Sequence, residues 1–293
     1  MSKKHSQVVK NGGGVSKHSK AIRKNERKPA VMQPKFTSKQ VAEIRKGYAK
    51  ASSARVERVR SVIKEKVKRG QTRSFFVIDT SSIQERIELW RTMLPRVEIF
   101  YAVKVNPDDE IVKKCIQMGT GFDAASHREI ERIIKLGAKP ENIIFANPVK
   151  SPEQIHGAKA NKVKMTTIDT VEELLKLHKH YPVAECVIRI ATDQTDAVYN
   201  LSEKYGASME DVPKILETAK KLGVRMKGVA FHTGSGGVGF SAYKSSIRNA
   251  RKIFDMAQGM GLPEMDLLDI GGGFTMINPT AAKNFEMVAQ CIG

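Results

Sequence analysis

Three cysteines in 293 residues, Cys115, Cys186 and Cys291, are too few and too scattered for a disulfide framework. No two form a Cys-X-X-Cys pair, so a reducing compartment is the natural reading. No apolar run approaches the ~18–20 residues of a membrane-spanning helix, and no segment follows the layout of a secretory signal. Acidic residues are scarce in one place only. Residues 1–73 carry +18 of the net charge of +19, which leaves the other 220 residues at +1. The basic character therefore belongs to the leading segment and says nothing about the chemistry of the body.

Residues 1–37 are polar, basic and glycine-punctuated, with too little apolar content to fold alone. Over residues 38–69 the apolar residues Val41, Ile44, Tyr48, Val56, Val59, Ile63 and Val67 recur at three, four or eight, and Gly70 follows as a stop. That suits a basic amphipathic helix. Residues 1–72 thus read as a largely disordered basic extension. It suits contact with anionic lipid or RNA, organelle targeting, or plain solvation.

From residue 73 onward short apolar runs alternate with helical periodicity. Strands are expected at 74–79, 97–103, 121–124, 142–146, 164–168, 185–190, 227–231 and 265–270, with helices between them. This alternation means a parallel sheet with helical crossovers, an α/β fold, with seven strands counted from the one ending at Lys104. That strand, residues 97–103, reads as buried on both faces, and a lysine at its carboxyl end is unusual. Lysine desolvated there can act as an amine nucleophile.

Polar groups punctuate nearly every strand end: Lys104, Asp123, Asn147, Asp169, Arg189, His232 and the turn Gly271-Gly272-Gly273. Closing the sheet into a barrel brings such positions to one mouth, where barrel enzymes carry their sites. Taken singly each is weak, and Asp169 reads as a helix cap. The glycine turn lacks the spacing of a dinucleotide loop and the lysine of a P-loop. Its backbone N–H groups, with His232 and Ser235 nearby, suit a single phosphate. An amine together with a one-phosphate cradle suggests pyridoxal phosphate held as a Schiff base.

These stretches carry a resemblance. Phe100-Tyr-Ala-Val-Lys104-Val-Asn, Gly119-Thr-Gly-Phe-Asp123-Ala-Ala-Ser126, Ala146-Asn-Pro, Arg189-Ile-Ala-Thr-Asp193, Leu201-Ser-Glu-Lys204-Tyr-Gly-Ala, Phe231-His232-Thr-Gly-Ser235-Gly and Leu268-Asp-Ile-Gly-Gly-Gly273-Phe occur in order. Over residues 73–274 the chain resembles the barrel domain of the ornithine decarboxylase family, in the alanine-racemase-like class. The resemblance implies a (β/α)8 barrel of TIM type over 73–293 and pyridoxal 5'-phosphate as cofactor, with no metal. It implies Lys104 as the Schiff-base lysine and His232 stacked on the cofactor ring. Asp123, Glu129 and Arg189 are implied to line the cofactor, and Ser235 with Gly271, Gly272 and Gly273 to hold its phosphate. Lys204 is implied to pair across a head-to-tail homodimer. A cytoplasmic enzyme converting L-ornithine to putrescine in polyamine biosynthesis follows, with an antizyme-like protein as regulator.

The chain also departs from that family. It stops about twenty residues after Gly273, before an eighth strand with its Glu-Pro-Gly-Arg motif and before a β-sandwich domain. Cys291 sits in no matching context. An incomplete chain, inactive alone, is therefore expected. Two rival readings are a non-catalytic homologue of the antizyme-inhibitor type and a decarboxylase of another basic amino acid. Intact Lys104, Asp123, Arg189 and His232 argue against the first; His-Thr-Gly-Ser-Gly at 232–236 favours ornithine.

Overall fold

The computed structural model describes residues 38–192, 205–234 and 241–274, with 285, 289 and 292; side chains are described from residue 53 onward. In chain order the elements are α1 (Ser38–Lys68), α2 (Ser81–Met93), β1 (Phe100–Ala102), α3 (Asp109–Gln117), β2 (Gly121–Ala124), α4 (His127–Lys135), β3 (Ile143–Phe145) and α5 (Pro152–Ala160). They continue as β4 (Met165–Ile168), α6 (Val171–His180), β5 (Glu185–Arg189), α7 (Val212–Leu222), β6 (Arg225–Ala230), α8 (Ser241–Gly259) and β7 (Leu267–Asp269). All strands are parallel and their spatial order is their chain order, β1 to β7. Each strand therefore returns beside its predecessor through a helix, the progression of an α/β barrel. The seven-stranded expectation holds.

Alternate residues along the strands feed two cores. Ile188, Cys186 and Val229 face the helices and pack with Leu174, Leu177, Ile215, Leu216 and Ile253. Ile143 and Phe145 do the same with Ile130, Ile133 and Val112. The intervening residues Ile144, Val187 and Ala230 gather on the opposite side with Phe100, Met165 and Leu267. Burial on both faces explains why these strands read as continuous apolar runs.

Helix starts follow ordinary capping chemistry. Ser126 accepts from the Glu129 amide, Ser151 and Gln154 form a reciprocal capping box, and Thr170 accepts from the Glu173 amide. Gly223 ends α7 in the left-handed region.

Two expectations are corrected. Residues 74–79 form no strand: they have no ladder partner among the described residues, and Phe76 is 98% exposed. A strand needs a neighbour for its backbone groups, which apolar content alone does not supply. The strand expected at 97–103 is shorter and less buried than its composition suggests. It spans only Phe100–Ala102, half-buried at the border of the sheet, and Val103–Val105 is a 3₁₀ turn.

Helix α1 carries six basic and two acidic residues from 53 to 68 and buries none of its described side chains. It is tied to the body by charge: Arg55 reaches Asp79 at 3.1 Å and Glu85 at 2.6 Å, and Arg58 reaches Asp79 at 3.1 Å. No described helix is long and apolar enough to cross a membrane.

Candidate active site

The strand order brings one functional side chain after another to the carboxyl ends of the sheet. Val103 is buried and pins the 3₁₀ turn that follows β1, so that Lys104 projects from it. Asp123 stands on β2 in register with Ala102. Lys104 Nζ donates to both carboxylate oxygens of Asp123, at 3.2 Å each. Arg189 ends β5, His232 follows β6 by two residues, and the glycine turn follows β7.

Burial raises the Asp123 carboxyl above its ordinary range, against the opposing pull of Lys104 and Arg189. Burial lowers the Arg189 guanidinium, while Asp169, Asp269 and Asp123 oppose the fall. The guanidinium also lies 5.2 Å from the ring centre of Tyr205, a cation–π distance. His232 is pushed down to about 4, first by burial and then by the nearby Arg189 and Lys104 charges. It is therefore a neutral imidazole at pH 7. Its Nδ1 accepts from the Gly234 amide at 3.0 Å, which assigns the ring proton to Nε2.

The glycine turn is shaped by close approach. At Gly271, φ is +70° and a Cβ would stand 2.3 Å from the Phe231 carbonyl oxygen. At Gly272 a Cβ would meet His232 Nε2 at 3.5 Å, so this residue lies against the imidazole. The Gly271 amide donates to Asp269 Oδ1 at 2.8 Å, and the Tyr243 hydroxyl donates to the Gly272 carbonyl at 3.1 Å. Gly271 thus shapes the turn with its backbone, and its amide points to Asp269.

Two carboxylates join the cluster that the strand-end pattern undervalued. Asp169 is not the cap of α6, a task that Thr170 performs. Instead its Oδ2 accepts from the Gly206 amide at 3.0 Å, and its buried Oδ1 lacks a hydrogen-bond partner among the described residues. An aspartate one place before the cap sits beyond the helix, and only the fold shows that it faces Arg189. Asp269, which precedes the glycine turn by two residues, is raised by burial and by Asp123 while the Gly271 amide, Arg189 and Lys104 oppose the rise. Its place at the end of the last strand was the available signal. Glu129 has a local task, accepting from the Ala125 amide at 2.6 Å at the start of α4. Ser235 and Lys204 lie outside the described residues.

The family model of the pyridoxal-dependent decarboxylases, specifically their pyridoxal binding domain, matches residues 80–293. The chain belongs to that family. It is 40% identical over 225 residues to ornithine decarboxylase of Saccharomyces cerevisiae, an alignment covering 76% of this chain and 48% of that protein. The arginine decarboxylase of Paramecium bursaria Chlorella virus superposes with a TM-score of 0.73 at 32% identity, over 79% of this chain and 64% of the other. Lysine decarboxylase of Selenomonas ruminantium gives 0.66 at 34% identity, over 73% and 57%. The chain spans about half the length of the curated relatives it matches.

The donor set fits the family's cofactor, pyridoxal phosphate. An amine, Lys104, stands within reach of a carboxylate, and a neutral ring, His232, offers an aromatic face without adding charge. The turn packs closely beside that ring: a side chain at Gly271 would strike the Phe231 carbonyl, and Gly272 lies against the imidazole.

Proposed function

We propose that this chain is the cofactor-binding part of a decarboxylase that converts L-ornithine to putrescine, the entry step of polyamine biosynthesis. The observation that carries the reading is the Lys104–Asp123 pair, 3.2 Å apart at the end of a parallel sheet and ringed by Arg189, His232 and the glycine turn. Ornithine is chosen because the sequence relative at 40% identity is an ornithine decarboxylase; the structural relatives act on arginine and lysine, so a basic amino acid is common to all three.

When bound, pyridoxal phosphate supplies an aldehyde for amines and a ring that draws off the electron pair left as CO₂ departs. Lys104 is the covalent anchor. Asp123 fixes the direction of its Nζ through both carboxylate oxygens. His232 would offer its neutral ring to the cofactor ring. Gly272, Gly273 and Ser235 would receive the phosphate, Gly271 sets their turn, and Glu129 holds the Ala125–Ser126 backbone that borders the site. Arg189, balanced by Asp123, Asp169 and Asp269, brings positive charge without leaving it unpaired. In the working protein Lys204 contacts a second copy in a cytoplasmic homodimer.

Borohydride reduction in the presence of pyridoxal phosphate, followed by peptide mapping, is expected to label Lys104. A protein extended to the relatives' length is expected to release CO₂ from ornithine faster than from lysine or arginine. Label on another lysine would overturn the anchor, and CO₂ from none of the three would overturn the reaction.

A further inference from the structure

In the layer of helices outside the sheet, two histidines meet. His156 extends from α5 and His180 from the last turn of α6, and His156 Nε2 lies 3.1 Å from His180 Nδ1. Their ring centres are 5.1 Å apart and their planes are inclined at 63°. His156 is exposed and His180 half-buried, so water reaches the gap between them.

With bonds of about 2.0–2.1 Å, two imidazole nitrogens on one metal ion lie about 2.9 Å apart at a right angle and about 3.4 Å apart at the tetrahedral angle. The observed separation falls between these limits. We infer that His156 and His180 form a surface site for a divalent transition-metal ion, which takes the place of the proton they share and ties α5 to α6. Among the described residues no third histidine, cysteine or carboxylate joins them, so water completes the coordination. A site of two imidazoles follows the general order of ligand preference, with copper(II) held most tightly and zinc(II) and nickel(II) less so.

Burial first, then His156 and the neighbouring Lys179, Lys176 and Lys159, hold His180 below its ordinary range, in the direction that ligation requires. The same lysines repel a cation, but they are solvated and screened. None of this depends on the decarboxylase reading, because neither histidine belongs to the strand-end cluster.

The test titrates the chain with copper(II) and with zinc(II) by calorimetry at pH 7.5, in parallel with His156→Gln, His180→Gln and His178→Gln. Glutamine preserves polarity and size at these surface positions, and circular dichroism checks each fold. The first two variants are expected to lose the same one site, with affinity falling more than about tenfold, while His178→Gln retains it. Histidines in residues 1–37 contribute a background common to all four proteins. The metal is also expected to raise the melting temperature of the native chain and not of the two variants. Equal numbers of sites in all four proteins, or equal loss in His178→Gln, would overturn the inference.

Discussion

Lys150 is sealed below the strand ends against Glu173: its Nζ lies 3.0 Å from Glu173 Oε1, with side-chain exposures of 0% and 2%. The same nitrogen donates to the carbonyls of Asn147 and Thr167, at 2.7 Å each. All three ammonium protons are thus engaged, and one side chain ties the exit of β3 to the exit of β4 and to the first turn of α6. Burial lowers this ammonium and Glu173 opposes the fall.

Cutting that tie on one side is expected to be costly. Lys150→Met strands the Glu173 carboxylate, at about 3–5 kcal/mol of stability, toward the lower figure because Lys176 still reaches its other oxygen. Adding Glu173→Leu removes the stranded charge and is expected to recover most of the loss. Urea unfolding of the two proteins checks this. A single substitution costing under about 1 kcal/mol would show that the pair contributes little.

The neutral state of His232 gives stability a direction in pH. Its folded value is about 4 against an ordinary 6.5, so between these the unfolded chain binds the proton more readily. The contribution is complete above pH 6.5, falls as pH drops through the window, and is spent below about 4. Its ceiling is about 3 kcal/mol. In denaturant midpoints measured from pH 7.5 to 4.5, His232→Asn is expected to show a flatter decline than the native chain.

Neighbouring glycines are expected to respond differently to one methyl group. Gly271→Ala forces a left-handed residue whose Cβ meets the Phe231 carbonyl, and at least about 1–2 kcal/mol of stability is lost. Gly272→Ala makes only ordinary contact with the imidazole, so unfolding is nearly unchanged while pyridoxal phosphate binds less tightly. Fluorescence titration with the cofactor, run beside chemical denaturation, separates the two effects.

At the start of α6 the adjacent residues Asp169 and Thr170 perform separate tasks. Thr170→Ala removes a cap and is expected to cost about 1 kcal/mol. Asp169→Ala leaves the Gly206 amide without its acceptor and Arg189 with one counter-charge fewer, at about 1–3 kcal/mol. Only the second is expected to weaken cofactor binding. Equal effects on binding would place both residues in the helix cap.

Strand number and order were legible because burial on both faces writes itself as uninterrupted apolar runs, and because a parallel sheet needs the helices that the periodicity shows. Lys104, Asp123, Arg189 and His232 could be picked out because each interrupts such a run at its end. Residues 74–79 misled for the converse reason: Phe75, Phe76, Val77 and Ile78 have the composition of a strand, but composition carries no information on pairing. Asp169 was misread because a carboxylate next to a helix start looks the same in one dimension whether it faces the helix or the guanidinium across the mouth. The His156–His180 pair was invisible, since 24 residues of chain separate the partners.

A sheet whose order follows the chain has Lys104 at its first border and the 271–273 turn at its last. A small molecule held at one end by that amine and at the other by that turn would act as a clasp between the first and last described strands. Loading would then register as cohesion of the whole sheet, and thermal resistance would climb with the logarithm of cofactor concentration.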